Sequence, residues 1–453
     1  MTQTEMGTMR ISRLLPKMAL PLILAQLVNG LYNIVDRIYL GHIPGAGAAI
    51  LTGVGVAFPI ILLITAFAQL IGSGGGPLAS MRLGQNRKDL AEEIVSTSAA
   101  ALLVLSVFLM VFFYIFKKPL LYLFGASDVT IVSANEYVSV YLIGTPFVLL
   151  TLGLNPFISS QGMTTKSMLT VVIGAALNIV LDPVFIFVMG MGARGAATAT
   201  IISQCVSAIY VLKILSGKES ALKLRAKDIK IRKKVLLPIV ALGVSPFIMV
   251  STEAAISFVF TSRLQMLGGD LAVGTMTILN SVLNFANMPI HGFNQAVVPV
   301  VSYNFGAGNK KRVVDTYRFA LASEFIFTLL VSVFCIKFPR LILSLFSSSE
   351  ELVSFGAPFM KYFFAGYAIF GLQFASQNSF MGLGQAKLSM FFAIFRKIIL
   401  LIPLVYILSS TALGVAGVFL AESIADSVSA VCTVTVFLLN FRKILDKGAP
   451  KAN

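Results

Sequence analysis

The sequence predicts an all-α polytopic membrane protein of twelve transmembrane helices, arranged as two parallel-repeat six-helix bundles. The chain has 453 residues, of which 57% are hydrophobic and only 12% charged, whereas about a quarter of the residues in soluble domains are charged. Apolar runs of about 20 residues recur from end to end, and each is long enough to cross a ~30 Å hydrocarbon core. The alternating ~10-residue segments of a β-barrel do not dominate anywhere.

The apolar runs define twelve predicted spans. They are residues 17–40, 50–79, 93–115, 134–155, 166–190, 194–215, 235–260, 272–300, 316–336, 355–382, 388–409 and 413–437. The longest polar segment is the basic link Ser216–Lys234. We therefore expect an N-terminal bundle at residues 1–215, a cytoplasmic link at 216–234 and a C-terminal bundle at 235–453.

The net charge of +16 follows the positive-inside rule, by which cytoplasmic loops of membrane proteins are enriched in Lys and Arg. The basic residues on the predicted cytoplasmic side are Arg10, Arg13, Lys17, Arg82, Arg87, Lys88, the nine between Lys213 and Lys234, Lys310, Lys311, Arg312, Arg442, Lys443, Lys447 and Lys451. The opposite loops hold only Lys117, Lys118, Arg194, Lys337 and Arg340. We expect a plasma-membrane protein with both termini in the cytoplasm, its basic segments facing anionic lipid headgroups rather than nucleic acid.

An internal repeat relates the two halves of the chain. When Pro77 is aligned with Pro299 without a gap, Gly84 aligns with Gly306, and glycines, prolines and span ends stay in phase over the rest of the first half. We call this alignment the repeat register. Because an even number of spans separates the repeats, both halves have the same orientation and are related by an axis along the membrane normal. Such repeats with broken helices are typical of secondary transporters.

The stretch "ALNIVLDPVFIF" places polar residues inside an apolar span. Asn178 and Asp182 are four residues apart and share one helix face, and Pro183 removes a helical hydrogen bond. Because a charge at the bilayer centre is costly, such residues are functional candidates. They predict a cation or proton site on the fifth span; the alternative is that Asp182 is a polar residue of helix packing.

A second intramembrane acid, Asp36, lies late in the first span. If Asp36 and Asp182 faced one cavity, their mutual repulsion would favour retention of one proton; otherwise Asp36 is a solvated residue at the outer end. The second half does not copy these acids, because the repeat register places Phe258 opposite Asp36 and Leu404 opposite Asp182.

The second half has acids of its own. Glu253 lies in the seventh span, and Glu422 and Asp426 share one face of the twelfth. In the eleventh span, Arg396 and Lys397 are expected to form an ion pair with Glu422 or Asp426, and Lys397 could alternatively extend to the inner face. Inward-facing Met and aromatic side chains could form an adaptable cavity for flat cations.

Enzymatic motifs are absent from the sequence. His42 and His291 are the only histidines, and the zinc-protease H-E-x-x-H, the P-loop and the G-x-S-x-G elbow do not occur. An intramembrane enzyme is therefore disfavoured, and no cofactor is expected.

The sequence resembles the multidrug and toxic compound extrusion (MATE) family, in its MepA-like branch. The resemblance rests on "LYNIVDRIYLG" in the first span, "LNIVLDPVFI" and "GARGAATAT" in the fifth and sixth, "GFNQAVVPVVSYNFGAGNKKRV" at the eighth and "GVAGVFLAESIADSVSA" in the twelfth. It implies two bundles around a central cavity, alternating access, and export of cationic or amphipathic drugs in exchange for Na⁺ or H⁺.

The resemblance also implies site residues. Asp36, Asn178, Asp182 and Thr200 match the family's cation site in the N-terminal bundle, with Thr198 as the neighbouring candidate for the threonine. In the C-terminal bundle, Glu253 matches a coupling residue on the seventh helix, but the acid on the tenth helix is replaced by a segment that offers only Gln373, Gln377 and Asn378.

The predicted function is therefore secondary active multidrug efflux by a monomer, with Na⁺ or H⁺ as the coupling ion and Na⁺ possible at the four residues of the N-terminal site. Glu253, Gln373, Arg396, Glu422 and Asp426 are candidates for coupling or substrate binding. The main alternative is a flippase or exporter of lipid-linked or polysaccharide precursors, because related folds share the twelve-helix layout.

Overall fold

A computed structural model describes residues 3–43 and 47–449, and these form helices with no β-strand. The α-helices are α1 (Gln3–Thr8), α2 (Ile11–Gly41), α3 (Gly47–Gly84), α4 (Lys88–Leu123), α5 (Thr130–Ile143), α6 (Thr145–Ser159), α7 (Thr164–Pro183), α8 (Gly192–Ser216), α9 (Lys233–Ser251), α10 (Glu253–Gly306), α11 (Lys310–Lys337), α12 (Pro339–Phe346), α13 (Glu350–Gly356), α14 (Phe359–Phe364), α15 (Tyr367–Gly382), α16 (Ala386–Ile394), α17 (Ile402–Ser409) and α18 (Val415–Lys447).

The helices account for all twelve predicted spans. Among the described residues, nine continuous segments are long and apolar enough to cross a membrane, and α5 with α6, bent by 61°, makes a tenth. The segment Lys233–Gly306 is two spans, because Gly269 interrupts α10 with φ of 59°, a backbone conformation that glycine adopts readily. The short helices α13 to α15 form the remaining span. The predicted fold class is confirmed.

Two spans contain a stretch of π-helix beside their polar residues. In the fifth span, α7 ends at Pro183 and continues as the π-helix Val184–Val188, directly after Asp182. In the eleventh span, the π-helix Phe395–Leu401 joins α16 to α17 and carries Arg396 and Lys397. Because a π turn alters the helix register and is frequent at functional sites, it sets the direction in which these side chains point.

The bundles meet at one end of the molecule, which we call the terminal face; it carries α1, the link 217–232 and the end of α18. A shared apolar core lies there and includes Met6, Leu14, Met81, Val300 and Phe441. Two further cores lie mainly within one bundle each, although Ile239 of α9 packs in the N-terminal one. The shared core shows that the bundles are closed against each other at the terminal face.

The bundles separate toward the opposite end, which we call the far face. The closest backbone contacts between bundles involve glycines in the halves of the spans nearest the terminal face: a Cβ atom on Gly243 would lie 1.7 Å from the carbonyl oxygen of Leu70. Nearer the far face, Leu31, Phe258 and Met266 on the first and seventh spans are exposed. Glu253 and His291 are also exposed within their spans, and because intramembrane polar groups face water or the bundle interior, a cleft opens between the bundles toward the far face.

The link between the bundles is docked on the N-terminal bundle. The side-chain oxygen of Gln161 accepts hydrogen bonds from the backbone N–H groups of Ala221 and Leu222, at 2.7 and 3.1 Å, and from the Ser220 hydroxyl at 3.0 Å. Arg232 forms an ion pair of 3.0 Å with Glu93. The link therefore follows the N-terminal bundle rather than forming a free loop.

Candidate functional site

The four residues predicted for the N-terminal site come together. Asn178 and Asp182 are buried on α7, and the Asn178 amide donates to Asp182 Oδ1 at 3.2 Å and to the Thr200 hydroxyl at 3.5 Å. The carboxyl group of Asp36, on α2, lies within hydrogen-bonding reach of that of Asp182. Two carboxyl groups from the first and fifth spans thus lie side by side, with an amide and a hydroxyl beside them.

The rotation of α8 about its axis decides whether Thr198 or Thr200 faces the site. Thr200 is buried and faces Asn178, and its hydroxyl donates to the carbonyl of Ala196 at 3.0 Å. Thr198 is turned away on the same helix and donates to the carbonyl of Arg194. Thr200 is therefore the threonine of this site.

Three buried oxygen atoms of the site have no hydrogen-bond partner in the part of the chain that the structure describes. They are Asp36 Oδ1, Asn178 Oδ1 and Asp182 Oδ2. Buried polar atoms in proteins are nearly always hydrogen-bonded, and exceptions require an explanation such as a bound ion or water. Arg37 forms no direct ion pair with either acid among the described residues; its guanidinium lies 5.5 Å from the centroid of the Phe58 ring and acts on Asp36 only at longer range. These oxygens can bind a proton or a small hard cation such as Na⁺.

Tyrosines complete the surroundings of this site, and the sequence reasoning did not identify them. Tyr137, on the fourth span, is buried and its hydroxyl contacts Thr200, and its ring stacks on that of Tyr141 with centroids 6.1 Å apart. Tyr32 precedes Asp36 by one helical turn and lies near both acids. The spacing of four residues in each pair, Tyr32 with Asp36 and Tyr137 with Tyr141, is the signal that could have predicted a shared face.

The C-terminal bundle holds a buried ion network. Arg396 donates to Asp426 at 2.7 Å and to Glu422 at 2.8 Å, and its guanidinium lies 4.3 Å from the centroid of the Phe370 ring. Arg396 therefore forms the expected ion pair with both acids of the twelfth span. Arg396 bridges the two acids and ties the eleventh span to the twelfth, although one guanidinium can neutralise only one of two carboxylates.

One expectation for this bundle, the one for Lys397, is wrong. Lys397 does not pair with the twelfth-span acids or extend to the inner face; its side chain is 5% exposed and donates to Glu253 and, at 2.6 Å, to the carbonyl of Met249. The side chain of Glu253 itself is 59% exposed. The reason for the different pairing of Lys397 is the π-helix, which turns Arg396 and Lys397 toward different neighbours.

The glutamines of the tenth span form a separate polar group. Gln373 is buried and donates to Gln377 at 3.4 Å, and Gln377 donates to the hydroxyl of Ser245 at 3.3 Å. Neither glutamine contacts an acid in the described hydrogen bonds. A further acid, Glu324 on the ninth span, is buried and was missed by the sequence reasoning, although Thr328 lies four residues after it on the same helix face.

Comparison with known protein families gives one match in each half of the chain. The family model described as MatE matches residues 21–184 and 246–407, one segment in each bundle. The chain belongs to the MatE family. This confirms the resemblance drawn from the sequence, and it assigns the chain to a family of membrane transporters rather than to an enzyme class.

Other MatE proteins share the whole length of this chain. The multidrug export protein MepA of Staphylococcus haemolyticus is 26% identical over 95% of this chain and 94% of its own length, and that of Staphylococcus aureus is 24% identical over 94% of each. A crystal structure of MATE in the bent conformation has 24% identity and a TM-score of 0.90 over 96% of this chain and 97% of that chain. A multidrug resistance MATE family transporter in the outward-facing conformation has 23% identity and a TM-score of 0.91, over 98% and 99%. The structural likenesses establish the MatE fold.

Proposed function

We propose that this MatE protein is a secondary multidrug transporter that exports cationic amphipathic compounds in exchange for H⁺ or Na⁺ by alternating access. The relatives named as multidrug export proteins support the substrate class. The cleft between the bundles, at which Glu253 and His291 are exposed, supports a route for such compounds.

One observation carries the ion-coupling part of this proposal. The carboxyl groups of Asp36 and Asp182 are in contact within a membrane bundle, and each has an oxygen atom with no hydrogen-bond partner among the described residues. Two adjacent carboxylates in a poorly solvated environment repel each other, and binding of one proton or one Na⁺ removes that repulsion. Asn178 and Thr200 add neutral oxygen ligands for the cation.

Exchange follows from the charge of this site. When the ion is bound, the acids carry less negative charge and a cationic compound is held weakly in the cleft. When the ion leaves, the negative charge returns and attracts the compound. A ligand shifts a conformational equilibrium only by its differential affinity for the two states, so ion and compound drive the transporter in opposite directions.

The orientation and the moving parts belong to the same proposal. We place the terminal face in the cytoplasm of the cell, because it carries most of the basic residues. The cleft then opens to the outside. Residues 1–215 with the docked link 216–234 form one moving unit and residues 235–453 the other. A single chain contains both bundles and the cleft, so a monomer suffices for the cycle.

The test is dye efflux from proteoliposomes that contain the purified protein. An imposed pH gradient and an imposed Na⁺ gradient are applied separately, and a collapsed gradient serves as the control. Efflux driven by either gradient alone supports the proposal and identifies the ion. Efflux that is the same with and without both gradients would exclude antiport.

A further inference from the structure

Glu324 lies in the interior of the C-terminal bundle, away from the ion network already described. It is 2% exposed, and it takes part in none of the ion pairs between described residues. Asn294, on the eighth span and 5% exposed, donates its side-chain N–H to Glu324 Oε2 at 3.2 Å. An ionised carboxylate here would be a buried charge without a counter-ion, which is strongly unfavourable.

The side-chain oxygens of Glu324 and Asn294 can all be hydrogen-bonded within this pair only if Glu324 carries a proton. Glu324 Oε1 and Asn294 Oδ1 are the two buried oxygens of the pair without a partner among the described residues. Both are acceptors when the acid is ionised, so neither can satisfy the other. A protonated Oε1 is a donor, and the amide oxygen is the free acceptor on the same partner. Acid and amide then form a cyclic pair of two hydrogen bonds.

We propose that Glu324, paired with Asn294, is a second proton-binding site of this transporter, loaded when the terminal face is closed. The proton sits on Oε1, donates to Asn294 Oδ1, and leaves to water when movement of the eighth span separates the pair. Two neighbours of Asn294 on that span, His291 and Gln295, are exposed at the cleft. This proposal rests on the proposed exchange function, and it assigns part of the coupling to the C-terminal bundle.

The repeat shows that the fold does not require an acid at this position. The repeat register places Leu102 at the equivalent position of the N-terminal bundle. Leu102 is fully buried and packs on Gly153. An apolar residue therefore fills this place in the same architecture, and the cost of burying Glu324 points to a function.

The titratable groups on the neighbouring helices do not neutralise Glu324. On its own helix, Tyr317 bonds to the hydroxyl of Ser376 at 3.1 Å. On the tenth span, Tyr367 donates to Asn287 at 3.0 Å. On the eighth span, the ring of His291 packs edge-on against Phe374. The buried basic residues described in this bundle, Arg396 and Lys397, are bound to other acids.

Infrared spectroscopy of the purified protein tests the protonation directly. The C=O stretch of a protonated carboxyl group is separate from that of a carboxylate. We expect Glu324→Gln to remove one protonated-carboxyl component at neutral pH, and Asn294→Leu to shift its frequency by removing the hydrogen bond. A protonated-carboxyl region that is unchanged in Glu324→Gln, with loss of a carboxylate band instead, would show that Glu324 is ionised and would overturn the proposal.

Transport measurements separate a proton carrier from a structural acid. Glutamine can form the same cyclic pair with Asn294, so Glu324→Gln keeps the packing and both hydrogen bonds and loses only the exchangeable proton. We expect pH-driven efflux to fall at least tenfold and its pH profile to flatten, with thermal stability unchanged. If Glu324→Gln shows the same efflux rate and pH profile as the unmodified protein, Glu324 has only a structural role and the proposal is overturned.

The two proposals fail in different ways. If efflux never responds to an ion gradient, exchange is wrong, whereas the infrared result on Glu324 stands independently. If ion-driven efflux is present and depends on Asp36 but not on Glu324, only the second proton site is wrong. Glu324→Leu is the folding control. It introduces the residue found at the equivalent position, Leu102, and leaves Asn294 without its acid partner. If stability falls in Glu324→Leu but not in Glu324→Gln, the hydrogen-bonded pair is intact in Glu324→Gln.

Discussion

Gly84, at the end of the second span, packs directly on the backbone of Tyr303, at the end of the eighth: a Cβ atom on Gly84 would lie 2.0 Å from the Tyr303 carbonyl oxygen. Under the repeat register, the equivalent contact is between Gly306 and Met81. A Cβ atom on Gly306 would likewise lie 2.0 Å from the Met81 carbonyl oxygen. These two equivalent contacts join the bundles at the terminal face, so that any side chain at either glycine must push the bundles apart.

We therefore expect Gly84→Val to disfavour the state that is closed at the terminal face. Overpacking costs about 1–3 kcal/mol, which corresponds to a population shift of roughly 5- to 150-fold. The measurement is the distance distribution between spin labels at Lys88 and Lys311 in a cysteine-free background. Gly55→Val, on the same helix with open space around the glycine, is the matched control. An unchanged distance distribution in Gly84→Val would contradict the role of this contact.

Asp36→Asn and Asp182→Asn are each expected to abolish ion-driven efflux while the protein still folds. Asparagine keeps the shape of the side chain but cannot alternate in charge, and loss of a buried charge should leave thermal stability equal or higher. Asn178→Ala should do less harm, because both acids remain. Efflux, drug binding and thermal stability are measured on the same purified variants, with Asp270→Asn, an exposed acid near the far face, as the control. Normal ion-driven efflux by Asp182→Asn would leave Asp182 as a helix-packing residue.

Glu253→Gln is expected to weaken transport without abolishing it and to lower stability. The variant leaves the ammonium of Lys397, whose side chain is 5% exposed, without its counter-ion. Breaking a fully buried pair costs about 3–5 kcal/mol; because Glu253 is largely exposed, we expect roughly 1–3 kcal/mol here. Combining Glu253→Gln with Lys397→Met should restore much of the stability. Complete loss of efflux at normal stability would instead make Glu253 a principal coupling residue.

Arg312 is expected to hold the terminal face closed. Its guanidinium donates to the carbonyl oxygens of Met6 at 2.9 Å and Met9 at 2.8 Å, and thereby ties the segment before the first span to the C-terminal bundle. Arg312→Ala should increase the labelling rate of a cysteine placed at buried Leu14 by several-fold. Lys311→Ala, an exposed neighbour, should leave that rate unchanged, and equal rates in both variants would show that Arg312 does not act as a latch.

The orientation is checked by cysteine labelling from the two sides of the membrane. A cysteine at His42 should be labelled from outside, and cysteines at Lys218 and Lys227 in the link should be labelled only from inside, because basic loops remain in the cytoplasm. All three positions are exposed, whereas residues 44–46 of the same outer loop lie outside the described part of the chain. Labelling of the link from outside would reverse the assignment.

Several features of this protein could be predicted from the sequence because they depend on neighbouring residues. The spans follow from apolar runs of sufficient length, and the relation of Gly84 to Gly306 follows from the spacing of glycines and prolines. Asn178 and Asp182 share a face because residues four apart on a helix always do. The link was expected to be basic, but its docking on Gln161 depends on contacts distant in the sequence.

The tertiary structure decided which polar groups meet. Whether Asp36 reaches Asp182, and whether Thr200 or Thr198 faces Asn178, depends on the rotation of each helix about its axis, which local spacing does not determine. The π-helix that contains Arg396 and Lys397 orients these adjacent basic side chains toward different acids. Glu324 has Thr328 at helical spacing, but only the packing of the eighth span against the ninth brings its amide partner Asn294 to it.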